Sequence, residues 1–156
     1  MMDLGIFASE HSGATMSFFN LLETRILKAQ NAICMGIDPV LSKIPFEKSS
    51  PEETIKWFYM TLLDAMDKEE LYPAAVKPNS AYFESISVSA MQVLFDIISA
   101  YKERGIHVVL DAKRGDIGKS SAAYAQAAFK VYKADSVTVS PYMGEDSVRP
   151  FSDFSA

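Results

Sequence analysis

At 156 residues and 17.2 kDa, with 49% hydrophobic residues, the chain has the size of one domain with a sizeable core. It is too short for a complete (β/α)8 barrel, which needs at least roughly 200 residues. Fifteen Lys and Arg against twenty Asp and Glu give a net charge of -5, which argues against a dedicated nucleic-acid surface.

No uncharged apolar run approaches the 18 or so residues of a membrane span. The stretch Met1 to Thr15 has no Lys or Arg and so does not resemble a secretory signal. The single Cys34 excludes an intrachain disulfide and fits a reducing, cytoplasmic setting. Residues 1–15 show no periodicity and are expected to be a disordered extension ahead of Met16, a second possible start.

From Ser17 to Gln30 the apolar residues Phe18, Phe19, Leu22 and Ile26 recur at helical spacing. A short apolar run over residues 32–37 predicts a strand that stops at Asp38-Pro39, because proline cannot continue a central ladder. Ser50-Pro51-Glu52-Glu53 is a strong helix start, with Ser50 as cap, Pro51 in the first turn and Glu53 completing a capping box. Ile55, Phe58, Tyr59, Leu62, Leu63 and Met66 line one face of that helix. Ala74-Ala75-Val76 leads as a second strand into Lys77-Pro78-Asn79. A helix is expected over about Val88 to Arg104, stopped by Gly105. Ile106-His107-Val108-Val109-Leu110 is the clearest strand, and Asp111-Ala112-Lys113-Arg114-Gly115-Asp116 continues it. A helix of small residues is expected over residues 118–132, a fourth strand over 136–140, and a further helix from Glu145.

This alternation predicts a parallel sheet with right-handed crossovers. Four βα units of about thirty residues each correspond to the N-terminal half of a (β/α)8 TIM barrel over residues 16–156, ending after the fourth strand. A small open α/β sheet is the other architecture the pattern allows.

Charged residues gather where the strands end: Asp38 after the first, Lys77 on the second, Asp111 and Lys113 on the third, and Asp116 in the loop beyond. In parallel α/β folds that end of the sheet carries the sites. Asp111 and Lys113, two apart on an extended segment, should point to one side. Opposite charges about 4 Å apart at an effective dielectric of 20 interact by about 4 kcal/mol, enough to hold both ionised. Other signals favour structural roles. Gly118-Lys119-Ser120 lacks the earlier glycine of a phosphate loop. His107 fits a packed strand histidine, Cys34 a core cysteine, and Trp57 core packing. Asp67-Lys68-Glu69-Glu70 fits a solvated helix end.

Asp111-Ala112-Lys113-Arg114-Gly115-Asp116-Ile117-Gly118 resembles the signature of the orotidine 5'-phosphate decarboxylase family. Gly36-Ile37-Asp38-Pro39, Val76-Lys77-Pro78-Asn79 and Ser140-Pro141-Tyr142-Met143-Gly144 are similar to that family's first, second and fourth strand ends, in the same order. The resemblance implies a dimeric barrel that converts orotidine 5'-phosphate to UMP in pyrimidine biosynthesis with no metal or organic cofactor. It implies Lys77, Asp111, Lys113 and Asp116 as the charged catalytic residues. Asp38 would hold ribose hydroxyls, and Asp116, Ile117 and Ser120 would reach the partner subunit's site. The sequence ends before the segments that grip the phosphate in that family. A non-catalytic barrel fragment and a related Mg-dependent sugar-phosphate decarboxylase therefore stay open as alternatives.

Overall fold

A computed structural model of the chain describes residues 18–154. The expected extension over residues 1–15 lies outside them. In chain order the elements are helix α1 (Phe18–Ala29), strand β1 (Cys34–Ile37), a 3-10 turn (Leu41–Lys43), α2 (Pro51–Glu69), β2 (Ala75–Pro78), α3 (Ser80–Glu84), α4 (Val88–Glu103), β3 (His107–Arg114), α5 (Gly118–Gln126), a π turn (Ala127–Val131), β4 (Ser136–Val139) and α6 (Glu145–Ser152). The four strands form one parallel sheet in the order β1-β2-β3-β4. Sequential parallel neighbours joined by helical crossovers are how a (β/α)8 barrel begins.

The caps follow the local chemistry. Ser50 Oγ accepts the Glu53 N–H at 3.1 Å, Ser87 Oγ accepts that of Ala90 at 3.0 Å, and both residues are extended at the helix entry. Gly105, at φ +73°, turns the chain out of α4 into β3. Helix α3 has no counterpart among the expected elements. The sequence pattern makes Asn79 part of a strand end, yet its Oδ1 accepts the Ala81 N–H at 3.1 Å and starts a turn straight after Pro78. The expected helix over 118–132 is interrupted: Tyr132 N–H bonds Ala127 O at 2.9 Å, five residues back, so α5 gives way to a π turn.

One side of the sheet is apolar. Ile37, Val76, Val108 and Leu110 pack with Ile55, Tyr59 and Leu63 of α2 and with Leu94, Ile97, Ile98 and Tyr101 of α4. Each fully buried large apolar side chain contributes about 1.5–3 kcal/mol. Period-two alternation turns Lys77, Asp111 and Thr138 to the opposite side. His107 also faces that side, near the start of β3. It is buried as expected, with its ring 5.7 Å from that of Phe18 on α1 and its Nε2 2.8 Å from Ser136 Oγ.

Three side-chain expectations change. Cys34 is exposed rather than core, because β1 is an edge strand whose first and third residues face away from the helices. Trp57 packs edge-on against Phe46 and under the Lys48 ammonium, outside the main core. The acidic run is not merely solvated: Asp67 receives Arg104 Nη2 at 2.8 Å and the Tyr72 hydroxyl at 2.8 Å.

Candidate active site

Three of the strands deliver polar groups to one point at their C-terminal ends. Lys77 is the third residue of β2, paired with Gly36 of β1, so a residue without a side chain adjoins it. Asp111 lies beyond the regular β2–β3 register, where an isolated parallel bridge sets it against Asn79. Thr138 is the third residue of β4. The pairing of Leu110 with Val137 puts it next to Asp111.

Asp111 is the centre of the cluster and is 4% exposed. Its Oδ2 accepts a hydrogen bond from Lys77 Nζ at 2.8 Å. Its Oδ1 accepts from Lys113 Nζ at 2.5 Å and from the Thr138 hydroxyl at 2.7 Å. Burial alone would raise the Asp111 carboxyl. The bonds from Lys113, Lys77 and Thr138 together outweigh it and hold the group well below the ordinary carboxylate range. Lys77 is held above the ordinary lysine value, first by its bond to Asp111 against an opposing desolvation, with added attraction from Asp111 and Asp38. Two ammonium groups thus share the one Asp111 carboxylate.

Lys113 does not extend a regular strand. The β3–β4 register breaks between Leu110 and Arg114, and Lys113 has φ +47°. The Lys113 N–H donates to Thr138 Oγ1 at 3.0 Å. The shared side of Asp111 and Lys113 therefore comes from a bulge that turns the lysine back, not from plain alternation.

The structure thus brings together Lys77, Asp111 and Lys113. Asp38 stands at the edge of the group, exposed, and acts on Lys77 through its charge. Asp116, Ile117 and Ser120 make no hydrogen bond or ion pair to that group among the described residues. Asp116 Oδ1 accepts the N–H of Ile117 at 2.7 Å, Ile117 is 62% exposed, and Ser120 is exposed in the first turn of α5. Thr138 was missed from sequence. Its place in the middle of the expected fourth strand was the available signal, but only the strand order sets it beside Asp111. Arg114, from the same segment, turns to the helix side, where it pairs with Glu84 and covers the Tyr124 ring.

Among the described residues no helix is long and apolar enough to cross a membrane. A family model described as "Orotidine 5'-phosphate decarboxylase / HUMPS family" matches residues 32–153. The orotidine 5'-phosphate decarboxylase of Flavobacterium johnsoniae is 41% identical over 135 residues, which is 85% of this chain and 48% of that protein. The corresponding protein of Parabacteroides distasonis is 41% identical over 128 residues, 81% of this chain and 45% of its own length. The solved structure of Leishmania donovani OMP decarboxylase superimposes with a TM-score of 0.72 at 38% identity, covering 89% of this chain and 50% of its own. The chain spans about half the length of the curated relatives it matches. With its four strands in barrel order, the chain belongs to the orotidine 5'-phosphate decarboxylase / HUMPS family.

Proposed function

We propose that this chain carries the charged half of an active site that decarboxylates orotidine 5'-phosphate to UMP, in the cytoplasm and without a metal or organic cofactor. The observation that carries the reading is the buried Asp111 carboxylate gripped by Lys77 and Lys113 at the strand ends. In the reaction the bond from pyrimidine C6 to the carboxylate breaks, CO2 departs, and the electron pair stays on C6. The Lys113 ammonium stabilises that charge and then gives C6 a proton, leaving a neutral amine that water reprotonates. Asp111 positions the ammonium and keeps Lys77 protonated. Positive charge fixed in advance at the forming carbanion lowers the barrier because no reorganisation is needed as the charge develops.

Asp38, exposed beside Lys77, holds the ribose hydroxyls. Asp116, Ile117 and Ser120 serve the pocket of a second subunit in a homodimer. The exposure of Ile117 and Ser120, and the half-buried Asp116 carboxylate that bonds only its neighbour's N–H among the described residues, support that role.

The test is loss of orotidine 5'-phosphate absorbance, with the chain assayed alone and with the remaining barrel half supplied from a full-length relative. Turnover should vanish in Lys113→Ala and be unchanged by a chelator. A Lys113→Ala variant as fast as the parent would overturn the assignment, and a chelator-sensitive rate would move the chain to the metal-dependent branch.

A further inference from the structure

At the opposite end of the sheet from the Asp111 cluster, α1 closes a cavity of about 300 Å³ against the turn between α4 and β3. Arg25 and Lys28, one helical turn apart on α1, both enter it. A Cβ built on Gly105 would stand 2.8 Å from Arg25 Nη1 and 3.7 Å from Lys28 Nζ. The two cationic ends therefore meet in the space that a side chain at position 105 would fill.

Neither cation is neutralised there. Arg25 Nε is buried without a hydrogen-bond partner, and no ion pair of Arg25 or Lys28 is found among the described residues. Arg104 also lines the cavity, but it is already bound to Asp67. Glu70, the exposed left-handed cap of α2, is the one carboxylate in the lining among the described residues. The rest of the wall includes Tyr72 and Ile106.

We infer that this cavity binds the phosphate group of a small organic phosphate through Arg25 and Lys28. The Arg25 end that stands in the space beside Gly105 is Nη1, a donor that an incoming oxyanion can meet together with Lys28 Nζ. The guanidinium fork matches phosphate oxygens in pairs, and Lys28 adds a point charge beside it. A phosphate monoester, with a charge of about −1.5 to −2 near neutral pH, balances two monocations better than a carboxylate does. The apolar wall leaves room for the organic part. Glu70 opposes binding, which gives the test a direction independent of the cations.

The test titrates the full chain with inorganic phosphate by calorimetry at fixed ionic strength, against chloride. One saturable site is expected. Arg25→Gln and Lys28→Gln should each weaken it about tenfold, as loss of a charge-assisted bond does. Glu70→Gln should tighten it, and Lys130→Gln, an exposed lysine outside the cavity, should leave it unchanged. A non-saturable response, or the same affinity in the Arg25→Gln/Lys28→Gln double variant, would overturn the site. If circular dichroism shows the double variant unfolded, Glu70→Gln decides: tighter binding supports the site and unchanged binding rejects it.

Discussion

Replacing Asp111 by Asn keeps the shape of the side chain and removes its charge. At pH 6 the variant loses the attraction of two ammonium groups and leaves them facing a neutral amide. A hydrogen bond to a charged group contributes about 1.5–3 kcal/mol when sheltered, and an exposed ion pair about 0–1. The Lys77 and Lys113 side chains are 38% and 66% exposed, so each bond belongs toward the lower end. The expected loss is about 2 kcal/mol in total. The pH dependence is more diagnostic. A carboxyl held below its ordinary range in the folded state contributes stability above the unfolded pKa near 3.9, and that stability is lost as pH falls toward the folded value. Between pH 6 and pH 3.5 the unfolded chain takes up part of a proton at this position while the folded chain takes up almost none. The parent should therefore lose about 0.7 kcal/mol that Asp111→Asn does not lose, so the gap between them narrows by that amount. Urea unfolding followed by circular dichroism at the two pH values measures it. Parallel profiles, or a variant as stable as the parent at pH 6, would refute the view that Asp111 is a compensated charge.

Two further substitutions probe the frame around it. Thr138→Val removes a hydroxyl that accepts from the Lys113 N–H and donates to Asp111, and should cost about 1–2 kcal/mol in a thermal or urea melt, with Thr138→Ser restoring most of it. Gly115→Ala places a Cβ 2.8 Å from the Ser140 carbonyl oxygen, so the ends of β3 and β4 must separate, at about 1–3 kcal/mol in the same melt. Gly36→Ala is the comparison: its Cβ would meet Asp38 Oδ2 at 3.6 Å, an ordinary contact, and stability should change far less.

The parts of the fold that were legible in the sequence are those set by short-range chemistry. Ser50-Pro51 caps α2, Gly105 ends α4, and the β-branched run after Ile106 makes β3, because each signal acts over a few residues. What could not be read depends on partners far along the chain. Thr138 is an ordinary strand residue until the β3–β4 pairing sets it against Asp111. Cys34 looks like core until β1 is known to be an edge, and Asp67 looks solvated until Arg104 arrives from another helix. Of the four charges the resemblance implies as catalytic, Lys77, Asp111 and Lys113 meet, while Asp116 bonds only the Ile117 N–H among the described residues.

How those charges are aimed is a separate matter, and the backbone at Lys113 answers it. In an unbroken strand the Lys113 N–H would join the ladder with β4 and its side chain would stand roughly perpendicular to the sheet beside that of Asp111. Here φ is +47°, a conformation that costs an L-residue about 1 kcal/mol or more. The N–H released from the ladder is not orphaned, because the Thr138 hydroxyl takes it and passes its own hydrogen to Asp111. One hydroxyl therefore satisfies the strained amide and orients the carboxylate that receives the same residue's ammonium. Pairing resumes at Arg114 against Val139 in a shifted register, and Gly115 then lets the chain pass close against Ser140. The strain, the threonine and the glycine form one device that trades strand regularity for the direction of a single ammonium group. That is why the charged residues of this segment cannot be understood from their spacing alone.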